Sequence, residues 1–109
     1  QPDIVFKYET EKEKLYPLII DTKYKDIQTP ERDDLNQIIS YGVSYRSPCV
    51  VIVHPKKKNS TSGLNLLGKI DKLSVYQYAF DLANGNPEQE EKKLFLEMLS
   101  LIPQIKKPA

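Results

Sequence analysis

Asp3, Asp21 and Lys23 are the residues best suited to chemistry, because their spacing can bring two acids and an amine to one place. Residues 4–9 (Ile-Val-Phe-Lys-Tyr-Glu) and 15–24 (Leu-Tyr-Pro-Leu-Ile-Ile-Asp-Thr-Lys-Tyr) are rich in β-formers, and the polar run Thr10-Glu11-Lys12-Glu13-Lys14 joins them. Two such runs with a short polar link predict an antiparallel hairpin. Folded about Lys12, residues whose numbers sum to about 24 face each other, which sets Asp3 opposite Asp21. Cross-strand partners hold their Cβ atoms ~4.5–5.5 Å apart, and like charges at that separation destabilise the pair unless something neutralises them. A hard divalent cation such as Mg²⁺ does so through carboxylate and water oxygens. Lys23, two residues past Asp21, shares its face ~6.5–7 Å further along the strand. Such a group suits phosphodiester hydrolysis, with the metal stabilising developing charge and the amine serving the attacking water. A register slip of one residue would send the two acids to opposite faces.

Plainer readings compete with this one. Asp-x-Lys is a common accident, and Asp3 alone fits a solvated strand edge or a cap. Against that, an acid and a lysine close the wholly apolar Leu18-Ile19-Ile20, and charges at the end of a buried strand need partners or a purpose. The alternate positions Ile4, Phe6 and Tyr8 are expected to join Leu18 and Ile20 as a core surface. Gln37 and Tyr41, at i and i+4, read on spacing alone as a helix surface pair, with Tyr41 partly buried. The functional reading makes them hydrogen-bonding supports for substrate or water. Arg46 and Lys56-Lys57-Lys58 flank a central apolar run, with no acidic residue between positions 35 and 70. Such a run is usually a solvated loop, but it could track a phosphate backbone in a salt-dependent way. His54 fits a strand-end residue better than a ligand. Cys49, the one cysteine, cannot form an internal disulfide or supply a cysteine-bound zinc or iron–sulfur site, and its apolar setting suits a buried small side chain. There is no glycine-rich phosphate loop.

The elements that must position these groups can be read from period and punctuation. Residues 31–46 form an amphipathic helix with Leu35, Ile38, Ile39, Gly42 and Val43 on its stripe, Thr29 as cap and Pro30 at its first position. Residues 49–54 are an apolar strand, expected to be buried on both faces and ended by His54-Pro55. Residues 56–66 read as a loop and 70–80 as a further strand. Asn86 caps a second helix, with Pro87 next, Gln89 reaching back, and Leu94, Phe95, Met98, Leu101 and Ile102 on its apolar face. Residues 103–109 read as a frayed tail. The expected order is β-β-α-β-β-α in one domain over residues 1–109: an α/β (α+β) mixed sheet flanked by helices.

Of the 109 residues, 39% are hydrophobic and 28% charged, ordinary for a soluble globular domain. The net charge of +1 gives no bulk basicity, so any nucleic-acid contact must come from local clusters. No apolar stretch approaches the ~20 residues of a membrane span, and no signal peptide is visible, which makes a cytoplasmic setting the default. The opening Gln1-Pro2-Asp3, without an initiator methionine, suggests a piece of a longer protein.

Taken together, Pro2-Asp3, Asp21-Thr22-Lys23 and Gln37-x-x-x-Tyr41 resemble the PD-(D/E)xK nuclease superfamily. Leu18 to Lys25, then Asp34-Leu35-Asn36-Gln37 with Tyr41, then Val50 to Pro55, are more narrowly similar to McrC, the nuclease subunit family of the McrBC systems that restrict 5-methylcytosine-modified DNA. The resemblance covers roughly residues 1–55. It implies a restriction-endonuclease-like sheet and a Mg²⁺-dependent endonuclease, with Mn²⁺ as a substitute. It implies Asp3, Asp21 and the Thr22 carbonyl as metal ligands, Lys23 serving the water, and Gln37 with Tyr41 in support. Lys25, Arg46, Lys56, Lys57 and Lys58 would contact DNA, and a GTP-driven McrB-like motor would be the partner. Two departures stand out: the superfamily core usually begins with a helix, often carrying a glutamate, and with a first strand, and neither precedes Asp3 here. A catalytically inactive domain of the same fold, an unrelated α/β interaction domain, and a repair-type nuclease sharing the Gln37-x-x-x-Tyr41 pattern are the alternatives.

Overall fold

Apolar strands with no solvated face dictate a layered core. A computed structural model describes residues 3–22, 32–56, 62–81 and 85–102. Seven elements appear in it: β1 (Ile4–Glu9), β2 (Lys14–Thr22), α1 (Arg32–Ser44), β3 (Cys49–Pro55), β4 (Gly63–Ile70), β5 (Leu73–Phe80) and α2 (Pro87–Ser100). The five strands form one sheet in the order β1-β2-β3-β5-β4. β2, β3 and β5 run parallel in the middle, and β1 and β4 close the edges antiparallel. Leu18, Ile20, Cys49, Val51, Val53 and Tyr78 pack toward Met98 and Ile102 on the α2 side. Ile19, Val50, Ile52, Leu73 and Val75 pack toward Ile38 of α1. This is the mixed α/β sheet with flanking helices expected from the sequence, and its central strands are buried on both faces as parallel strands must be. Among the described residues no helix is long and apolar enough to cross a membrane.

Both edge hairpins carry a bulge. In the first, Ile4↔Ile20, Val5↔Ile19 and Phe6↔Leu18 pair as expected, and the register then shifts to Tyr8↔Leu15. Tyr16 and Pro17 therefore stand together opposite Lys7. A proline cannot donate to a ladder, and a bulge is one of the few places inside a sheet that accepts one. In the second, Leu66↔Tyr76 gives way to Gly68↔Val75, leaving Leu67 as the extra residue.

The expected order lacks β4. Residues 63–70 fall partly in the loop assigned to 56–66, whereas they form a strand joined to β5 by the two-residue turn Asp71-Lys72. Four apolar assignments also change. Val43 is 66% exposed because it lies past the edge of the α1 stripe that meets the sheet. Ile4 and Tyr8 remain 47% and 42% exposed, since α2 covers β3 and β5 but leaves the β1 side of that face uncovered. Phe95, 57% exposed, points along the same uncovered side. Leu35, Ile38, Ile39, Gly42, Leu94, Met98, Leu101 and Ile102 sit in or against the core as expected.

The helix ends follow local rules. α1 stops in a left-handed turn: Ser47 N–H donates to Gly42 O, Arg46 N–H donates to Val43 O, and Arg46 takes φ 55°. That is the Schellman pattern, which satisfies carbonyls the helix would otherwise leave open. α2 begins as expected, with Asn86 Oδ1 accepting from Gln89 N–H at 3.1 Å and Pro87 in the first turn. The expected α1 cap, Thr29-Pro30, and the tail at 103–109 lie outside the described residues.

Candidate active site at the carboxyl end of β2

The β1/β2 ladder keeps a constant sum of 24 from Phe6↔Leu18 to Ile4↔Ile20, and Asp3 and Asp21 are the next positions on that register. Asp21 is 5% exposed, an acid at the end of an apolar strand with α1 packed on its face. Asp3 lies in the bend just before β1. Its Oδ2 accepts a hydrogen bond from Thr22 N–H at 2.8 Å and another from the Thr22 hydroxyl. The acid that opens the chain is thus bound to the residue after Asp21. From Ile4 to Phe6 the two arms pair in the register that the sequence predicts, and beyond it Asp3 is bonded to Thr22, the residue after Asp21.

Behind Asp21 runs a row of paired positions: Asp21↔Ile52 from β2 to β3, then Ile52↔Gln77 from β3 to β5. His54, one pleat beyond Ile52 on the same face, is 3% exposed. Its Nδ1 lies 3.0 Å from Pro55 O and its Nε2 lies 3.4 Å from Gln77 Oε1. Diagonal neighbours of this kind are ~7–8 Å apart. His54 is therefore inside β3 and held from two sides, and β3 runs one residue further, to Pro55. Nothing in the sequence marks Gln77 out. Its partner lies on a strand that neighbours β5 only because β4 takes the outer place.

α1 links two parallel strands and must run back against them, which sets its first turns over their carboxyl ends. Gly42 near the end of α1 is correspondingly close to Val50 and Leu73 at the strand starts. On α1, Gln37 is exposed and Tyr41 is half-buried against the core. Lys56, half-buried just past β3, donates its backbone N–H to Phe80 O at 2.7 Å. Arg46 sits at the opposite end of β3, before its first residue, so it shares no patch with Lys56. Lys23, Lys25, Lys57 and Lys58 lie outside the described residues.

Two buried groups set limits on the chemistry. Burial pushes the Cys49 thiol up to about 12, so it is neutral at physiological pH and is no nucleophile. Tyr78 is fully buried, its hydroxyl has no hydrogen-bond partner among the described residues, and burial with Glu90 and Glu97 nearby raises it to about 12. Glu90, also buried, serves the backbone, because its Oε1 accepts from Asp81 N–H at 3.0 Å where the chain leaves β5.

Among the described residues no group of three or more His, Cys, Asp or Glu side chains is placed to hold a metal ion. Asp3, Asp21 and the Thr22 carbonyl nonetheless form an oxygen-only donor set. Mg²⁺ commonly takes one or two carboxylates and completes its shell with water or substrate phosphate, so these donors fit a hard divalent cation by type. No protein-family model, curated protein or solved structure matches this chain.

Proposed function

We propose that this chain is a metal-dependent DNA endonuclease domain of the PD-(D/E)xK type, McrC-like, with a restriction-endonuclease-like sheet and a GTP-driven motor as its working partner. The observation that supports it most directly is the hairpin register, which, continued one position past Ile4↔Ile20, would set Asp3 opposite Asp21 at the end of a buried strand.

In this reading Asp3, Asp21 and the Thr22 carbonyl hold Mg²⁺ or Mn²⁺. Bound there, the cation supplies charge stabilisation to the phosphoryl oxygens and lowers the pKa of a water molecule. The Thr22 N–H and hydroxyl fix the rotamer of Asp3, so the carboxylate needs little reorganisation on binding. Asp21, packed under α1, is held in place by its surroundings. Lys23 orients the attacking water, Gln37 and Tyr41 brace the site, and Lys25, Lys56, Lys57 and Lys58 contact phosphates along the duplex.

The test is cleavage of plasmid DNA in Mg²⁺ by the full chain, comparing wild type with Lys23→Ala and Asp21→Asn. Loss of a group acting on the reacting water or on the metal is expected to lower the rate on the order of 10²–10⁴-fold. Chelation by EDTA abolishes cleavage, and Mn²⁺ restores it. Equal rates for wild type and both variants reject the assignment.

A second reading is favoured by one observation, the pairing of Asp3 with Thr22, which is also what a structural cap does. It makes the chain a catalytically silent domain that binds DNA or another subunit. Calorimetric titration with Mg²⁺ separates the two. The enzyme reading expects binding that Asp21→Asn removes, whereas the silent domain takes up no metal.

A further inference from the structure

Far from Asp21, where β2 begins and α1 ends, Lys14, Leu15, Tyr16, Ser44, Tyr45 and Arg46 line a hollow of about 550 Å³. Small-molecule sites span ~300–1,000 Å³. Tyr16 and Asp21 are five positions apart on β2, ~16 Å at the rise of a strand, so the hollow is separate from the candidate active site.

Its construction is specific. Strict alternation would send Tyr16 to the α2 side with Leu18, but the bulge at Tyr16 and Pro17 re-aims it. It meets Tyr45, which packs with the α1-side core, edge to face at 5.1 Å and 80°. An edge-to-face pair uses one ring face, and both rings are half-buried while lining the hollow, so aromatic surface remains open to it. Two cations stand at the rim, and none of the described residues that line it is acidic. Lys14 is held by an exposed ion pair with Glu9 at 3.6 Å, which an incoming phosphate can replace. Arg46 is fixed at its backbone by the left-handed turn, and its side chain is exposed. The carbonyls of Tyr41, Gly42 and Val43, which would otherwise repel an anion at a helix end, are taken up by the N–H groups of Tyr45, Ser47 and Arg46.

We propose that this hollow binds single-stranded nucleic acid, with an unstacked base against the Tyr16–Tyr45 pair and the flanking phosphates on Lys14 and Arg46. Aromatic surface for bases beside cations for the backbone is the combination by which proteins hold single strands. The proposal does not depend on the Asp21 site being catalytic. It moves Arg46 from a duplex contact near the reaction to a strand-holding group at the far end of the sheet.

The experiment measures fluorescence anisotropy of a short labelled oligothymidylate, and in a second arm oligouridylate, with the full chain in EDTA over a series of salt concentrations. Two variants test it. Arg46→Gly places at the left-handed position the residue that favours it, so the fold is kept while the cation is lost. Tyr16→Leu removes a ring. Arg46→Gly is expected to weaken binding several-fold and to flatten the slope of log K against log salt by about 0.7, the share of one single-strand phosphate. Tyr16→Leu is expected to weaken binding roughly tenfold with the slope unchanged. The tighter of the two oligonucleotides identifies the natural strand. Both variants binding like wild type while melting as cooperatively as wild type overturns the proposal. Because no metal is present and no cleavage is read, inactivity as a nuclease would leave this result standing.

Discussion

At Gly42, α1 packs tightly against the sheet. A Cβ there would stand 2.9 Å from Val50 Cγ1 and 2.9 Å from Leu73 Cδ1. Alanine gains about 1 kcal/mol of helix propensity over glycine. Crowding a packed core costs typically ~1–3 kcal/mol, and Val50 is β-branched, fully buried and unable to turn away. Crowding wins, so Gly42→Ala is expected to lose roughly 1 kcal/mol net, read as a lower midpoint in urea. A gain in stability would show that α1 can lift off the sheet without cost. Cys49 gives a sharper chemical test. With Cys49 buried and its thiol pushed up to about 12, the native protein should resist a disulfide reagent that reacts at once with the urea-unfolded chain. Rapid labelling of the native state at neutral pH would contradict the burial of β3.

The hairpins carry the next prediction. Asp71 has φ 54° and is the first of the two turn residues between Ile70 and Leu73. A positive φ at that place alone is the habit of a II′ turn, which prefers glycine there. Asp71→Gly should therefore stabilise the protein by about 0.5–1 kcal/mol, seen as a higher thermal midpoint. The same turn explains why β4 is hard to read from residues alone. Asp71-Lys72 lacks the glycine that marks a tight hairpin, and Leu66-Leu67-Gly68 breaks the alternation where the bulge sits. The first hairpin is legible in part: its polar loop and alternating arms predict the pairing seen from Ile4↔Ile20 to Phe6↔Leu18, but not the bulge at Tyr16 and Pro17. The row from Asp21 through Ile52 to Gln77, with His54 beside it, is not legible. It exists only because β5 inserts between β3 and β4, so that β3 pairs with a segment far along the chain, which no local pattern encodes. Val43 and Phe95 fail for a related reason: an apolar stripe tells which way a helix faces, but not how far its partner extends.

Taken as one body, the protein stores an alkaline weakness in its core. Cys49 and Tyr78 both titrate near 12 when folded, against 9.0 and 10.0 without the fold. Well below pH 9.0 both states hold these protons and nothing is lost. As pH rises from about 9 toward 12 the unfolded chain releases them first, so it binds fewer protons than the native state and stability falls. Each proton is worth about 1.4 kcal/mol per pH unit where the difference is complete. Urea midpoints measured from about pH 8 to about pH 11 should drop, and Cys49→Ala should flatten the early part of that fall. A constant midpoint would mean that these groups are not shielded as drawn. The insertion of β5 has a further consequence, for synthesis. A ribosome releases β1, β2, α1 and β3 in order, yet β3 offers one side of its backbone to a strand that ends only at Phe80, and α2 arrives after that. Until Phe80 has emerged, the nascent protein therefore holds its most apolar strand with one flank bare, and that interval is when a chaperone would find it.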